Sequence, residues 1–427
     1  MSKKTLTTLV VIVVVVAVAL GIYFATQKPA APAPTEVPVT EAPATEVPAT
    51  EVPATEVPAT EAPAAAEPAA AGYKIAIMTG TTSQGEEEYR AAEKLKEQYP
   101  DIVITDTYPD KFAAETETTI GKLTAFAADP EVKAIIMTQA VQGAAAAFNQ
   151  IKTDLKRDDI LLIAGVPAED PQTITSAADI VMGVDEINGG DQIVETAKEW
   201  GADVLIHYSF ARHMGYETIV ARHNIMKEAA KNAGIELVDR DAPDPTGDAG
   251  MAGAQNFILE DVPKVMEEYA GKKVAFFCTN CGMQEALQAA VLKEANAYYP
   301  LPCCPSPFHG FPASLGVAVN PEDYGDIDSY IAKAAQVLKD NDALGRFSTW
   351  AAPVNMSIIN GGFEYATKYI KGEITSKNDA EALKAALKNV TGQELTVSNY
   401  EDGDGKVYDT YFMLLFDNIN FADYLPQ

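Results

Sequence analysis

From Leu6 to Ala25 apolar residues follow one another almost without a break, behind the cations Lys3 and Lys4. A helix of that length reaches roughly 30 Å, the thickness of a hydrocarbon core. The pattern predicts a transmembrane helix within residues 1–26, with the basic flank held in the cytoplasm and everything after it exported. The alternative is a cleaved signal peptide, which needs small residues before the cut. Here Tyr23 and Phe24 stand before Ala25, so an uncleaved anchor is the expectation. From Thr35 to Ala64 the pentad T-E-[VA]-P-[AV] then repeats six times. Regular prolines remove backbone donors, the glutamates repel one another, and no apolar face can form. Residues 27–72 are therefore expected to be a disordered tether, with a reach on the order of 100 Å.

At Tyr73 the pattern changes. Short apolar runs without polar alternation appear at Ile75–Ile77, Ala134–Met137, Ile160–Ala164, Val204–Ile206 and Val274–Phe277. Strands covered on both faces by helices read this way. Between them, Glu86–Tyr99 places Tyr89, Ala92, Leu95 and Tyr99 near one helical face before Pro100. Gln284–Tyr299 does the same with Leu287, Val291 and Tyr298 before Pro300. The alternation predicts an α/β fold of two lobes, each a mostly parallel doubly wound sheet, within a domain spanning 73–427. Lobe 1 is expected at about 73–186 plus part of 310–362. Lobe 2 is expected at about 187–309 plus part of the C-terminal segment, its first helix following Asn188-Gly189-Gly190.

Composition narrows the function. A hydrophobic content of 47% excludes global disorder, and a formal net charge of −29 disfavours nucleic acid and anionic bilayer surfaces as partners. Most of that acidity lies beyond residue 72. A cleft can still carry a local charge of either sign.

Ordered segments of the chain resemble a known family. They include Thr79-Gly80-Thr81-Thr82-Ser83-Gln84-Gly85-Glu86-Glu87-Glu88-Tyr89-Arg90, Glu117-Thr118-Thr119-Ile120, Ser176-Ala177-Ala178-Asp179-Ile180 and Ser209-Phe210-Ala211-Arg212-His213-Met214. Ala242-Pro243-Asp244-Pro245-Thr246, Gly253-Ala254-Gln255-Asn256-Phe257 and Ala275-Phe276-Phe277-Cys278-Thr279-Asn280 continue the series. Over most of Tyr73–Gly316 the chain is similar to an uncharacterised family of bacterial surface lipoproteins with the periplasmic-binding-protein type I fold. The resemblance implies solute binding and carries over no ligand set or catalytic set. It departs at the anchor, since Ile22 follows Leu20-Gly21 and there is no cysteine before Cys278 to take a lipid.

Fold geometry supplies site candidates, because ligands of open α/β sheets sit beyond the carboxyl ends of strands. Thr81, Ser83 and Gln84 follow the first strand, and Gln139 follows Ala134–Met137. Ser209, Arg212 and His213, then Asp244, then Thr279 and Asn280, would face them from the second lobe. The hydroxyl-rich loop after the first strand offers donors to a polar ligand, or simply caps its helix. Arg212 would clamp an anion, or pair with an acidic neighbour. The expected partners are a small-molecule solute and a membrane permease of an ABC-type importer, or alternatively a membrane-tethered sensor system.

Catalytic patterns find no support. Gly80 and Gly85 have the spacing of a phosphate loop, but Glu86 and Glu87 follow where a lysine and a hydroxyl are required. The four histidines show no metalloprotease spacing, and Asp402-Gly403-Asp404-Gly405 fails the calcium-loop pattern and reads as a hairpin turn. No cofactor or metal is expected and no catalytic motif supports an enzyme, a surface enzyme of unknown chemistry being the lesser alternative. Cys278, Cys281, Cys303 and Cys304 remain. A zinc site fits poorly, because the adjacent Cys303 and Cys304 cannot easily both turn to one tetrahedral ion. A disulfide from the first pair to the second is the leading expectation in an exported chain, with unpaired thiols and redox chemistry as alternatives.

Overall fold

A computed structural model describes residues 72–425, except Ser83 and Gln84. The expected anchor and all of the tether but Gly72 lie outside the described residues. Among the described residues no helix is long and apolar enough to cross a membrane.

The doubly buried runs are strands, and they form two sheets. Strands β1 (Lys74–Thr79), β2 (Val103–Thr107), β3 (Val132–Thr138), β4 (Leu161–Gly165) and β5 (Ile180–Val184) lie parallel in the order β2-β1-β3-β4-β5. The smaller sheet contains β6 (Val204–Ser209), β7 (Glu236–Asp241), β8 (Val274–Cys278) and β9 (Ala297–Tyr298), parallel in the order β7-β6-β8-β9. The described α/β fold thus has mostly parallel sheets and resembles periplasmic-binding-protein type I architecture. Strand order reverses between β1 and β3 in one lobe and between β6 and β8 in the other, the switch points where α/β ligands bind.

Alternate residues of the larger sheet enter two separate cores. Ile75, Ile77, Ala134, Ile136, Leu161 and Ile163 belong to one. Ala76, Met78, Ile135, Met137, Leu162 and Ala164 belong to the other. On the first face lie α1 (Glu86–Gln98), α11 (Val354–Ile370) and α12 (Ala380–Thr391). On the second lie α2 (Thr116–Ala128) and α3 (Ala144–Thr153). Packing both faces of a parallel sheet accounts for the missing polar alternation.

The buried face of α1 differs from the expected one. It carries Glu87, Glu88, Ala91, Ala92 and Leu95, whereas Tyr89 is only half-buried and Tyr99 is exposed. Two carboxylates therefore open an otherwise apolar face.

Two other expectations are corrected, and the C-terminal segment divides between the lobes. Helix α5 (Glu186–Glu199) begins before Asn188-Gly189-Gly190 and contains them, capped by the Asp185 carboxylate accepting from Asn188 N. Gly190 is needed there, because a Cβ would lie 2.9 Å from the carbonyl oxygen of Arg222 on α6 (Glu217–Ala233). Helix α8 (Gln284–Lys293) stops well before Pro300. Arg346 explains the stop: its Nη1 donates to the carbonyls of Val291, Glu294 and Ala297, drawing the chain into β9. Finally, the C-terminal strands β10 (Leu395–Glu401) and β11 (Val407–Phe416) both join the larger sheet, with β11 parallel to β5. Asp402–Gly405 forms the expected hairpin turn between them. Only the last turn, Phe421–Tyr424, returns to pack on α10 (Ile327–Asp340) of the smaller lobe.

Candidate functional site at the lobe boundary

The loops after β6 and β8 bring their candidates together. Ser209, the last residue of β6, places Oγ 3.0 Å from Thr279 Oγ1. Thr279 Oγ1 also lies 3.1 Å from His213 Nδ1, and His213 Nε2 lies 3.3 Å from Asn280 Nδ2. Burial, helped by the Arg212 charge, pulls the His213 pKa down to about 4. Near neutral pH this ring is an uncharged donor and acceptor inside a hydroxyl–amide chain. Asn280 has a second task, since its Oδ1 accepts from Gly282 N and caps the turn leading into α8.

Arg212 and Asp244 meet each other. Arg212 Nε and Nη2 donate to the two Asp244 oxygens at 2.7 and 2.9 Å, and Thr246 donates to Asp244 through both N and Oγ1. The guanidinium fork is therefore spent on an internal carboxylate, the bland reading of this arginine. That contact holds the Asp244 pKa well below the usual carboxylate range.

Across the boundary the first lobe offers a different set. Gln139 Nε2 donates to Glu88 Oε1 at 3.2 Å, and Asn355 Nδ2 at the start of α11 donates to Glu88 Oε2 at 3.4 Å. Glu87 Oε2 accepts from Ser306 Oγ. Burial, reinforced by Glu88, pushes the Glu87 pKa up to about 8, and burial raises that of Glu88 as well. Among the described residues of the loop after β1, none caps α1 with its side chain. Its N-cap is Gly85, with no side-chain cap, while Thr81 Oγ1 donates to Asp110 Oδ1 at 2.5 Å. Ser83 and Gln84 lie outside the described residues.

Several buried polar atoms here have no partner: Glu87 Oε1, Asn355 Oδ1, and Nε and Nη2 of Arg222. The Arg222 guanidinium stacks on the Phe277 ring at 4.9 Å and contacts Glu186 at 3.3 Å through Nη1 alone. Unsatisfied buried groups cost about 1–3 kcal/mol each and are scarce in folded chains. Other unpartnered buried atoms lie elsewhere among the described residues, at Thr119, His207 and Tyr330 for example, but those of Glu87 and Asn355 flank the Glu88 carboxylate, where a polar ligand would be stabilised. Two surface depressions elsewhere are lined by none of these groups.

The family of proteins of unknown function DUF3798 matches residues 73–348. The chain belongs to the DUF3798 family. An uncharacterised protein of Treponema pallidum (strain Nichols) is 36% identical over 182 residues, covering 41% of this chain and 81% of the relative. A second from the same organism is 37% identical over 169 residues, covering 40% and 77%. Among solved structures, a putative transcriptional regulator from Clostridium difficile 630 superposes with a TM-score of 0.68 at 22% identity, covering 81% of this chain and 98% of that one. A sugar ABC transporter structure from Actinomyces odontolyticus ATCC 17982 gives a TM-score of 0.51 at 7% identity, covering 82% and 96%. At these identities the likeness is one of fold.

Within this DUF3798 chain, sequence reasoning missed Glu87, Glu88, Ser306, Arg222 and Asn355. The available signal was the position of Glu88 on the Ala92–Leu95 face of α1, where an acidic residue means a buried one. The four thiols are free. Cys281 Sγ lies 3.4 Å from Cys303 Sγ and 3.5 Å from Cys304 Sγ, while Cys278 Sγ faces the Asn280 carbonyl. The expectation that adjacent Cys303 and Cys304 cannot turn to one point is thereby corrected. The chain bends at both residues, and the alternation of side chains that holds in a strand does not apply.

Proposed function

We propose that the protein is an extracytoplasmic solute-binding protein. It captures a small polar molecule between its lobes and presents it to a membrane partner, an ABC-type importer. The observation carrying this reading is the set of unpartnered buried polar atoms where loops of both lobes meet. The fold supports it, since both switch points face that boundary. The protonation states favour an uncharged solute. Glu87 is largely protonated below about pH 8 and His213 is neutral above about pH 4. With the Arg212 fork already satisfied by Asp244, the remaining cation is Arg222, held against Phe277 and Glu186, and the other groups are donors and acceptors suited to hydroxyl and amide groups.

In this reading the protein binds without chemical conversion. Residues 1–26 stay attached as a single membrane-spanning anchor, and 27–72 carry the lobes away from the bilayer. Thermal denaturation against a panel of neutral polyols, monosaccharides and small amides, with organic anions as the contrasting set, tests the assignment. A neutral solute raising the melting temperature in proportion to the logarithm of its concentration is the expected result. Stabilisation by anions alone would overturn the uncharged-solute reading.

A further inference from the structure

Three sulfurs and an imidazole meet in the segment Leu301–Gly310. Pro302, Pro305 and Pro307 restrict its backbone, each fixing φ and removing a donor. Ser306 accepts from Phe308 N at 3.0 Å, and its carbonyl accepts from His309 N at 3.2 Å. Gln288 of α8 donates to the His309 carbonyl at 3.0 Å. The segment is thus held from within, from α8, and from the opposite lobe through the Ser306–Glu87 bond. On this fixed loop the donor atoms of Cys304 and His309 lie with that of Cys281 inside a 4.8 Å span. Cys303 Sγ, outside that shared span but 3.4 Å from Cys281 Sγ, offers a fourth donor.

The geometry points to a cation site formed by Cys281, Cys303, Cys304 and His309, suited to a thiophilic divalent ion of the zinc class. In a tetrahedral site with metal–sulfur bonds of about 2.3 Å, neighbouring sulfurs stand about 3.8 Å apart. The observed 3.4 and 3.5 Å separations are within a few tenths of an ångström of that value. Three thiolates and a neutral imidazole leave one net negative charge around a divalent ion. Arg222, buried with two guanidinium nitrogens unpartnered, supplies a counter-charge that acts on Cys303. Binding an ion displaces the thiol protons. Cys278 takes no part, its thiol being turned to the Asn280 carbonyl. This site stands on its own donor atoms and shares with the solute-binding reading only Arg222 and the Ser306–Glu87 contact.

The test uses the full chain, reduced and stripped of metal by a chelator, titrated with Co2+ and then Zn2+. The expected result is one equivalent of Co2+ with thiolate-to-cobalt charge-transfer absorption and the intense visible bands of tetrahedral coordination, displaced by Zn2+. Cys281→Ser and Cys304→Ser should each weaken binding on the order of a hundredfold, whereas Cys278→Ser should bind as the parent does. Circular dichroism checks the fold of each variant, and the parent's own spectrum tests the donor set whether or not a variant folds. An octahedral, sulfur-free cobalt spectrum would overturn the site. So would undiminished binding by the double variant, or a Cys281 disulfide to Cys303 or Cys304 in protein isolated without air.

Discussion

Glu88 shows how much one buried carboxylate can organise. Its oxygens accept from Gln139 and Asn355, and they also lie where a Cβ on Gly85 would sit, 1.7 Å from Oε1. Gly85 has an extended backbone that any residue adopts, so its requirement is one of space. Gly85→Ala should push the carboxylate off its partners and cost about 1–3 kcal/mol, read by urea denaturation. Unchanged stability would mean that Glu88 is free to move. Glu87 makes a pH prediction. Its folded pKa is raised from 4.5 to about 8, so the folded state holds a proton that the unfolded chain lacks between those values. Stability from this group is full below pH 4.5 and is lost as pH rises through 8. His213, lowered from 6.5 to about 4, works in the opposite sense in its own window. Above pH 6.5 the fall is therefore carried by the buried carboxylates, Glu87 together with Glu88. Glu87→Gln should flatten the fall in stability there, and an equal slope in parent and variant would contradict the assignment. These two residues were legible as a signal but misread. Beside Gly80 and Gly85, Glu87 argued with Glu86 only against phosphate and Glu88 was not weighed, because the groups that bury them, Ser306 and Asn355, lie far along the chain.

At the scale of elements, the strands were legible because a parallel strand buried on both faces must be apolar throughout. The loops after β1, β3, β6 and β8 followed from the rule for strand ends. The end of α8 was not legible. Its apolar spacing continues toward Tyr298, and what stops it is a guanidinium arriving from residue 346. Arg346 is buried, its Nη1 alone reaches three carbonyls, and its Nε reaches a fourth, that of Asp342. Arg346→Met should fill the space, strand those carbonyls and lower stability by roughly 3 kcal/mol or more. Hydrogen exchange should show the loss concentrated at the last turn of α8 and at β9. Uniform exchange across the smaller lobe would mean that Arg346 does not act as a local cap. The thiol cluster was hidden for a related reason, because the bend that turns Cys303 and Cys304 to one side is set by prolines and by contacts across the lobes.

For the whole molecule, the account says that two α/β lobes meet over polar groups whose remaining hydrogen-bond capacity belongs to a solute. One contributor comes from each side: Gln139 after β3 and Asn280 after β8. Losing either should weaken solute binding roughly tenfold, the equivalent of a hydrogen bond worth about 1.4 kcal/mol. The most direct measurement is mass spectrometry of small molecules released by denaturing the full chain purified without denaturant, for the parent and for Gln139→Ala/Asn280→Ala. The account predicts one neutral polar compound near stoichiometry with the parent, and its loss from a double variant that remains folded. Equal retention by both proteins would contradict it and place the binding surface elsewhere.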